Sequence, residues 1–362
     1  MGSVVRYSEK PARYLVRWRD PERRQREKRG FTRKSDADGY LASVTTAISS
    51  GQYIDPREAK HTIGSLAEPW LRTKRSTLKP SSYAPLEASW RNYVEPRWGT
   101  VPVGLVRHSA VQEWASGIGM SSTVVKRAYG VLSGILDVAE RDRKIVVNPA
   151  RGVRLPAKTV QRKHRYLTTR ELLALAVASG PREPLVLTLG LCGLRWGEAI
   201  ELRGGDLDLV RRRIHVARAA VEVHGEIHVG DTKTGAARWV PIPALLVPML
   251  VKLTSDKAND ALVFDDGHGF HMRRTRVSAG SRSWFKTALT TAGIAPMTLH
   301  DLRHTAASIA VSSGANVKAV QRMLGHASAT MTLDRYADLF DDDLEALSDR
   351  IDAAMTRASA EL

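Results

Sequence analysis

Between residues 64 and 147, apolar side chains return every three or four positions. The runs GSLAEPWLRTK, SSYAPLEASWRNYVEP, HSAVQEWASGI and SSTVVKRAYGVLSGILDVAERDR all carry the pattern, which gathers apolar groups into one stripe on a helix. Four helices are expected here, forming a bundle around Trp70, Trp90 and Trp114 and ending at Asn148-Pro149. Ahead of them the period is two. VVRY, ARYLVRWRD and RQREKRGF alternate apolar and charged residues between turn signals, as a three-stranded antiparallel sheet requires. SDADGYLASVTTAISSG then reads as a helix capped by Ser35 or Asp36 and stopped at Gly51.

After residue 166 both periods occur. YLTTRELLALAVAS predicts a helix capped by Thr168 or Thr169, with Glu171 in its first turn. PLVLTLGLCGLRWGEAIELRGGDLDL predicts two helices broken at Gly193. RRIHVARAAVEVHGEIHVGDTKTGAARWVPIP switches to strands, with turns at His224-Gly225 and TKTG. The expected fold is multidomain, mainly α with small β. A small N-terminal three-stranded sheet plus helix occupies 1–55 and a helical bundle 60–150. The basic stretch 151–165 is a linker, and 166–362 is a mixed α/β domain with a three-stranded antiparallel sheet and a C-terminal tail helix.

Charge narrows the partner. The 362 residues hold 55 Lys and Arg against 38 Asp and Glu, a formal charge of +17. That balance favours a polyanion, nucleic acid before an anionic membrane surface. Arg13, Arg17, Arg19, Arg23 and Arg24 in the N-terminal sheet, and Lys74, Arg75, Lys126 and Arg127 in the bundle, are the expected DNA contacts. Cys192 is the single cysteine, so neither a disulfide framework nor a cysteine-based zinc site can form. The N-terminus has no apolar signal-peptide core and no run reaches membrane-spanning length. A cytoplasmic protein without a membrane partner is expected.

Four fragments carry candidate chemistry: GLRWGE at 193–198, DTKTG at 231–235, HDLRH at 300–304, and LGH followed ten residues later by Tyr336. In this order they resemble the tyrosine recombinases, the phage integrase family. The resemblance covers about 166–340. It implies Arg195, Lys233, His300, Arg303, His326 and the nucleophile Tyr336 as the catalytic set, with Glu198 supporting Arg195 or a histidine. It also implies an arm-type DNA-binding domain at 1–55 and a core-binding domain at 60–150.

The chemistry of these residue types agrees. A phosphodiester passing through a pentacoordinate state needs its non-bridging oxygens neutralised, and arginine does so with a permanently charged planar fork. A phenol of pKa near 10 is phenolate in about one molecule in a thousand at pH 7, so the site must offset ~4 kcal/mol. Arg195, Arg303 and Lys233 supply a cationic field for this, and His300 or His326 can accept the proton. Lys233 in a strand turn can protonate the leaving 5′-oxygen. His300-x-x-x-His304 has zinc-protease spacing, but Asp301 stands where that motif has Glu and no third ligand accompanies it. His304 is expected as a packed neighbour of the site.

No metal and no cofactor are expected, nor ATP, since a covalent phosphotyrosyl link conserves the phosphodiester energy. The implied activity is site-specific DNA recombination of the phage-integrase type through a 3′-phosphotyrosyl intermediate. Topoisomerase IB-like or resolvase activity, and a non-catalytic DNA-binding regulator, are the alternatives. The implied partners are double-stranded DNA attachment sites, further copies of the chain in a homotetramer, an accessory DNA-bending protein and a directionality factor. After Tyr336, Leu339, Phe340, Leu344, Leu347, Ile351 and Met355 keep helical spacing. That amphipathic helix docks on a neighbouring protomer or on its own domain.

Overall fold

The computed structural model describes residues 2–9, 11–157, 165–232, 235–275, 277–278, 280–336, 351–352 and 355–360. The chain divides into two compact units, Met1–Gln161 and Arg162–Leu362. The fold is mainly α with small antiparallel sheets.

The first unit opens with β1 (Ser3–Glu9), β2 (Ala12–Arg19) and β3 (Gln25–Phe31), paired antiparallel in that order. Val16 and Trp18 face inward against α1 (Lys34–Ser49), where Ala37 and Val44 complete a small core. The helix starts just before the expected caps. Arg33 is the extended residue whose carbonyl takes the first helical bond, from Ala37. Ser35 and Asp36 therefore lie in the first turn, where the Asp36 carboxylate suits the helix N-terminus.

The bundle comprises α2 (Ile63–Thr77), α3 (Pro80–Ser89), α4 (Glu95–Trp98), α5 (His108–Gly117) and α6 (Ser122–Arg141). In α6, Val125, Ala128, Val131, Leu132, Ile135, Leu136 and Ala139 form the buried stripe. Each large aliphatic among them contributes about 1.5–3 kcal/mol by leaving water. The run expected as one helix at 81–96 carries a π-helical turn, Trp90–Val94, between α3 and α4. Pro96 explains it: proline offers no N–H and its ring crowds the carbonyl four residues back, so the preceding turn widens. Arg154, in the stretch expected as a linker, is held on this unit, since Gln112 bonds both its N–H and its carbonyl.

In the second unit α7 (Thr169–Ala178) begins with a capping box between Thr168 and Glu171. The largely buried α8 (Glu183–Cys192) ends at Gly193 in the left-handed conformation, φ 64°. The short α9 (Trp196–Ile200) follows. The described strands that come next are β4 (Leu207–Asp208), β5 (Arg213–Val216), β6 (Arg218–Val223), β7 (Glu226–Asp231) and β8 (Arg238–Pro241). They form two sheets, β4-β5-β8 and β6-β7, where one three-stranded sheet was expected. The ladder of β5 on β8 ends at Val216 opposite Arg238. Beyond Ala217 the chain leaves that sheet and folds on itself as a hairpin. His224 and Gly225 both have positive φ, as a two-residue hairpin turn demands. The hairpin lies so close to α9 that a Cβ on Gly197 would sit 2.3 Å from the Ala220 carbonyl oxygen.

Further described helices are α10 (Val247–Thr254), α11 (Trp284–Thr291), α12 (Leu299–Ser312), α13 (Val317–Leu324) and α14 (Ala329–Tyr336), and residues 351–352 and 355–360 are helical as well. One core joins α8, α12, α13 and the inner faces of β5 and β8. Lys233 and residues 337–350, with most of the expected tail helix, lie outside the described residues. Ile351 and Met355 are exposed. Among the described residues no helix is long and apolar enough to cross a membrane.

Candidate active site

Arg195 is the N-cap residue of α9, and Glu198 three residues on reaches back to it. The Glu198 carboxylate accepts from the Arg195 backbone N–H at 2.9 Å and from Nη1 at 2.7 Å. Arg238, from β8, meets the same carboxylate with both arms, Nη1 at 3.1 Å and Nη2 at 2.7 Å. Each carboxylate oxygen thus takes two bonds, which fills its capacity. Burial alone would push the Glu198 carboxyl up, but the bonds and charge of Arg238, with Arg195 beside it, outweigh burial and hold it down at about 2. The Arg195 side chain keeps 24% of its surface in water, whereas that of Glu198 keeps 1%.

Arg303 lies on the buried face of α12. Its Nη1 donates to the Gly193 carbonyl at 2.5 Å and its Nη2 to the Leu324 carbonyl. Gly193 and Leu324 end α8 and α13, where helix carbonyls lack internal partners. One guanidinium therefore ties together the chain breaks of two helices. Burial, and then the nearby Arg195 cation, lower Arg303 to about 9. A capping box starts α12: the Asp301 carboxylate accepts from the Thr298 N–H and hydroxyl, each at 2.7 Å. In HDLRH, Asp301 thus serves as a helix cap.

Tyr336 ends α14 and is 1% exposed. Its hydroxyl lies 2.8 Å from Nδ1 of His304, one helical turn beyond His300. The His326 ring lies nearly parallel to the Tyr336 ring, 9° apart, with centroids 6.4 Å apart. His326 Nδ1 meets the buried Thr332 hydroxyl at 2.9 Å, which fixes the imidazole. The His300 ring stands edge-on to His304 at 5.0 Å and faces solvent. His300 and Arg195 line a cleft of about 930 Å³, walled also by His224, Arg273 and Arg274.

The structure brings Arg195, Glu198, Arg303, His300, His326 and Tyr336 into one region of the second unit. Lys233 is outside the described residues, although Thr232 before it is buried and bonded to the Ala236 carbonyl. The expected DNA contacts all lie in the first unit. Arg13, Arg17 and Arg19 are on β2, with Arg17 and Arg19 exposed. Arg23 and Arg24 are exposed between β2 and β3, and Arg24 is ion-paired with Asp20 and Glu22. Lys74 and Arg75 are in the last turn of α2, Lys74 over the Trp70 ring. Lys126 and Arg127 are exposed on α6.

Two parts of the region escape a reading of the motifs. Arg238 does so although a signal exists: it stands two residues before the buried Val240, hence on the inward side of a strand. An inward arginine requires a buried anion. The contact of His304 with Tyr336 has no such signal. Below the hairpin a second buried carboxylate, Glu201, meets Arg203 at 2.9 Å and His271 at 2.6 Å. Among the described residues no group of three or more His, Cys, Asp or Glu is placed to hold a metal ion.

Residues 157–342, more than half of the chain, match the phage integrase family. The integrase of Mycobacterium phage FRAT1 is 28% identical over 316 residues, 82% of this chain and 92% of that protein. Among solved structures, the Tn1549 transposon integrase in complex with transposon right end DNA has a TM-score of 0.64 and 23% identity, covering 80% of this chain and 100% of that one. The lambda integrase tetramer bound to a Holliday junction has a TM-score of 0.58 and 17% identity, covering 87% and 94%.

Proposed function

The chain belongs to the phage integrase family and is a site-specific recombinase of that type; on that premise we propose that Tyr336 is its nucleophile and that Arg195 and Arg303 neutralise the scissile phosphate. The phenol oxygen attacks phosphorus and the bond to the 5′-oxygen breaks. A 3′-phosphotyrosyl link and a free 5′-hydroxyl result. The phenol proton passes to a neighbouring imidazole of His300, His304 or His326, and Lys233 protonates the departing 5′-oxygen. Attack by a 5′-hydroxyl of another strand reverses these steps and regenerates Tyr336. The bond energy stays in the phosphotyrosyl link, so no nucleotide hydrolysis enters the balance.

The observation that carries this reading is the convergence of Arg195, Arg303 and Tyr336, from three distant segments, around the turns at Gly193 and Leu324. Because Tyr336 is buried against His304, its ring must swing outward before it meets a phosphate. In this proposal the partner is a double-stranded DNA attachment site, gripped by the exposed cations of the first unit and exchanged within a tetramer. The lambda integrase tetramer on a Holliday junction is the parallel for that assembly. A DNA-bending protein and a directionality factor complete the proposed partners, and the bacterial cytosol or nucleoid is the proposed place of action.

A covalent-trapping assay tests the reading. The full chain and Tyr336→Phe are incubated with fragmented bacterial genomic DNA in EDTA, denatured, and examined for DNA-linked protein. Adducts in the parent alone are expected, and their sequences reveal the site. An equal yield from Tyr336→Phe removes Tyr336 as nucleophile.

A further inference from the structure

We propose that Arg238 is a positioning residue for the proposed phosphate-neutralising arginine: by sharing the Glu198 carboxylate with Arg195 while holding the carbonyl that precedes the LGH turn, it locks the two turns of the site in register. The inference rests on the reading of Arg195 given above. Arg238 itself touches no reacting atom.

Three contacts carry it. Both arms of Arg238 reach Glu198, its Nε donates to the Met323 carbonyl at 3.0 Å, and its side chain packs flat against Gly325. Gly325 has φ 63°, and a Cβ there would lie 2.9 Å from Arg238 Cδ. The guanidinium is therefore sandwiched between the Arg195 turn and the turn that leads to His326. Its side chain is 9% exposed, so it is spent inside the protein.

The charge arrangement explains why a second arginine is present. Glu198 alone would bind Arg195 as a private ion pair and cancel the charge that a phosphate needs. With Arg238 on the other side, one carboxylate serves two cations and the group keeps a net positive charge. A fork is also required, because a carboxylate met on both oxygens plus a carbonyl met by Nε makes three directed bonds. Lysine supplies the charge without that geometry.

The test uses full-length Arg238→Lys and Arg238→Gln, checked for native circular dichroism, with a synthetic duplex of the DNA sequence trapped by the parent chain. At saturating duplex the first-order cleavage rate should fall about tenfold for Arg238→Lys and about a hundredfold for Arg238→Gln, with the half-saturating concentration within about threefold of the parent. With a neutral methylphosphonate at the scissile position the need for Arg195 disappears, and the gap between variants and parent should close to about threefold. In an Arg195→Ala background, Arg238→Lys should add nothing.

A merely structural Arg238 would slow both duplexes alike and add to Arg195→Ala; either result overturns the proposal. Parent-like cleavage of the phosphate duplex by Arg238→Gln overturns it alone. A parent chain that forms no Tyr336-dependent adduct overturns it together with the reading on which it rests.

Discussion

Arg24 and Arg303 are both bonded to oxygen, yet they belong to different kinds of region. Arg24, between strands of the N-terminal unit, keeps 63% of its side chain in water while paired with Asp20 and Glu22. Arg303, inside the C-terminal unit, is buried and meets the carbonyls of Gly193 and Leu324. An exposed pair contributes at most about 1 kcal/mol and weakens in salt. Such cations act by number, each releasing counterions when it meets a phosphate. A buried guanidinium acts by direction, because every donor must find an oxygen where the backbone has placed one. The first region can lose a cation and keep its role; the second cannot.

The largest break in this contrast should come from Arg303→Ala. Two helix-end carbonyls lose their partner, each costing about 1–3 kcal/mol. The cleavage rate on a trapped-site duplex should fall at least about a hundredfold. Urea unfolding and single-turnover cleavage measure the two effects; a rate within tenfold of the parent would remove Arg303 from the proposed chemistry.

Glu198→Gln should have an intermediate effect with a distinct pH signature. The folded Glu198 is held at about 2, below its ordinary 4.5. Its contribution is therefore fully present above pH 4.5 and lost as pH falls toward 2. The parent should exceed the variant by roughly 3 kcal/mol at neutral pH, and the gap should shrink through that acid window. Urea midpoints measured from pH 7 down to pH 3 would show it; a constant gap would mean that the carboxylate's charge is not the source.

The smallest effect belongs to Arg19→Ala. Its fold and its cleavage rate at saturating DNA should match the parent. If Arg19 meets a phosphate, the slope of log affinity against log salt should drop by about one. An unchanged slope would place Arg19 away from the DNA.

Much of the site was legible because its pieces announce themselves locally. Gly193 breaks a helix, Thr168 and Glu171 cap one, and His300 and Arg303 stand three apart on another. Those signals need only neighbours in sequence. The rest depends on distant partners. The inward position of Arg238 follows from its alternation with Val240, but its partner Glu198, 40 residues earlier, is fixed only by the pairing of β8 with β5. The packed role expected for His304 agrees with its burial, but its bond to Tyr336 depends on where α14 returns. The split of the expected three-stranded sheet into two has the same origin, since no local pattern in RRIHVARAAV says that the chain leaves one sheet for another at Ala217. Pro96, by contrast, stands in plain view, and its widening of the turn before it is a local consequence.

The enclosure of Tyr336 bears on fidelity. A recombinase spends most of its time on DNA that is not its site, and a permanently presented phenol would nick chromosomes wherever the chain lingered. In the structure Tyr336 is folded between His304 and His326, so the proposed nucleophile is sheathed. If Tyr336 is the nucleophile proposed above, sequence recognition has a physical task beyond affinity: it supplies the free energy that draws the phenol out of its buried site. On that proposal discrimination falls on the step before chemistry, where a wrong encounter leaves no scar.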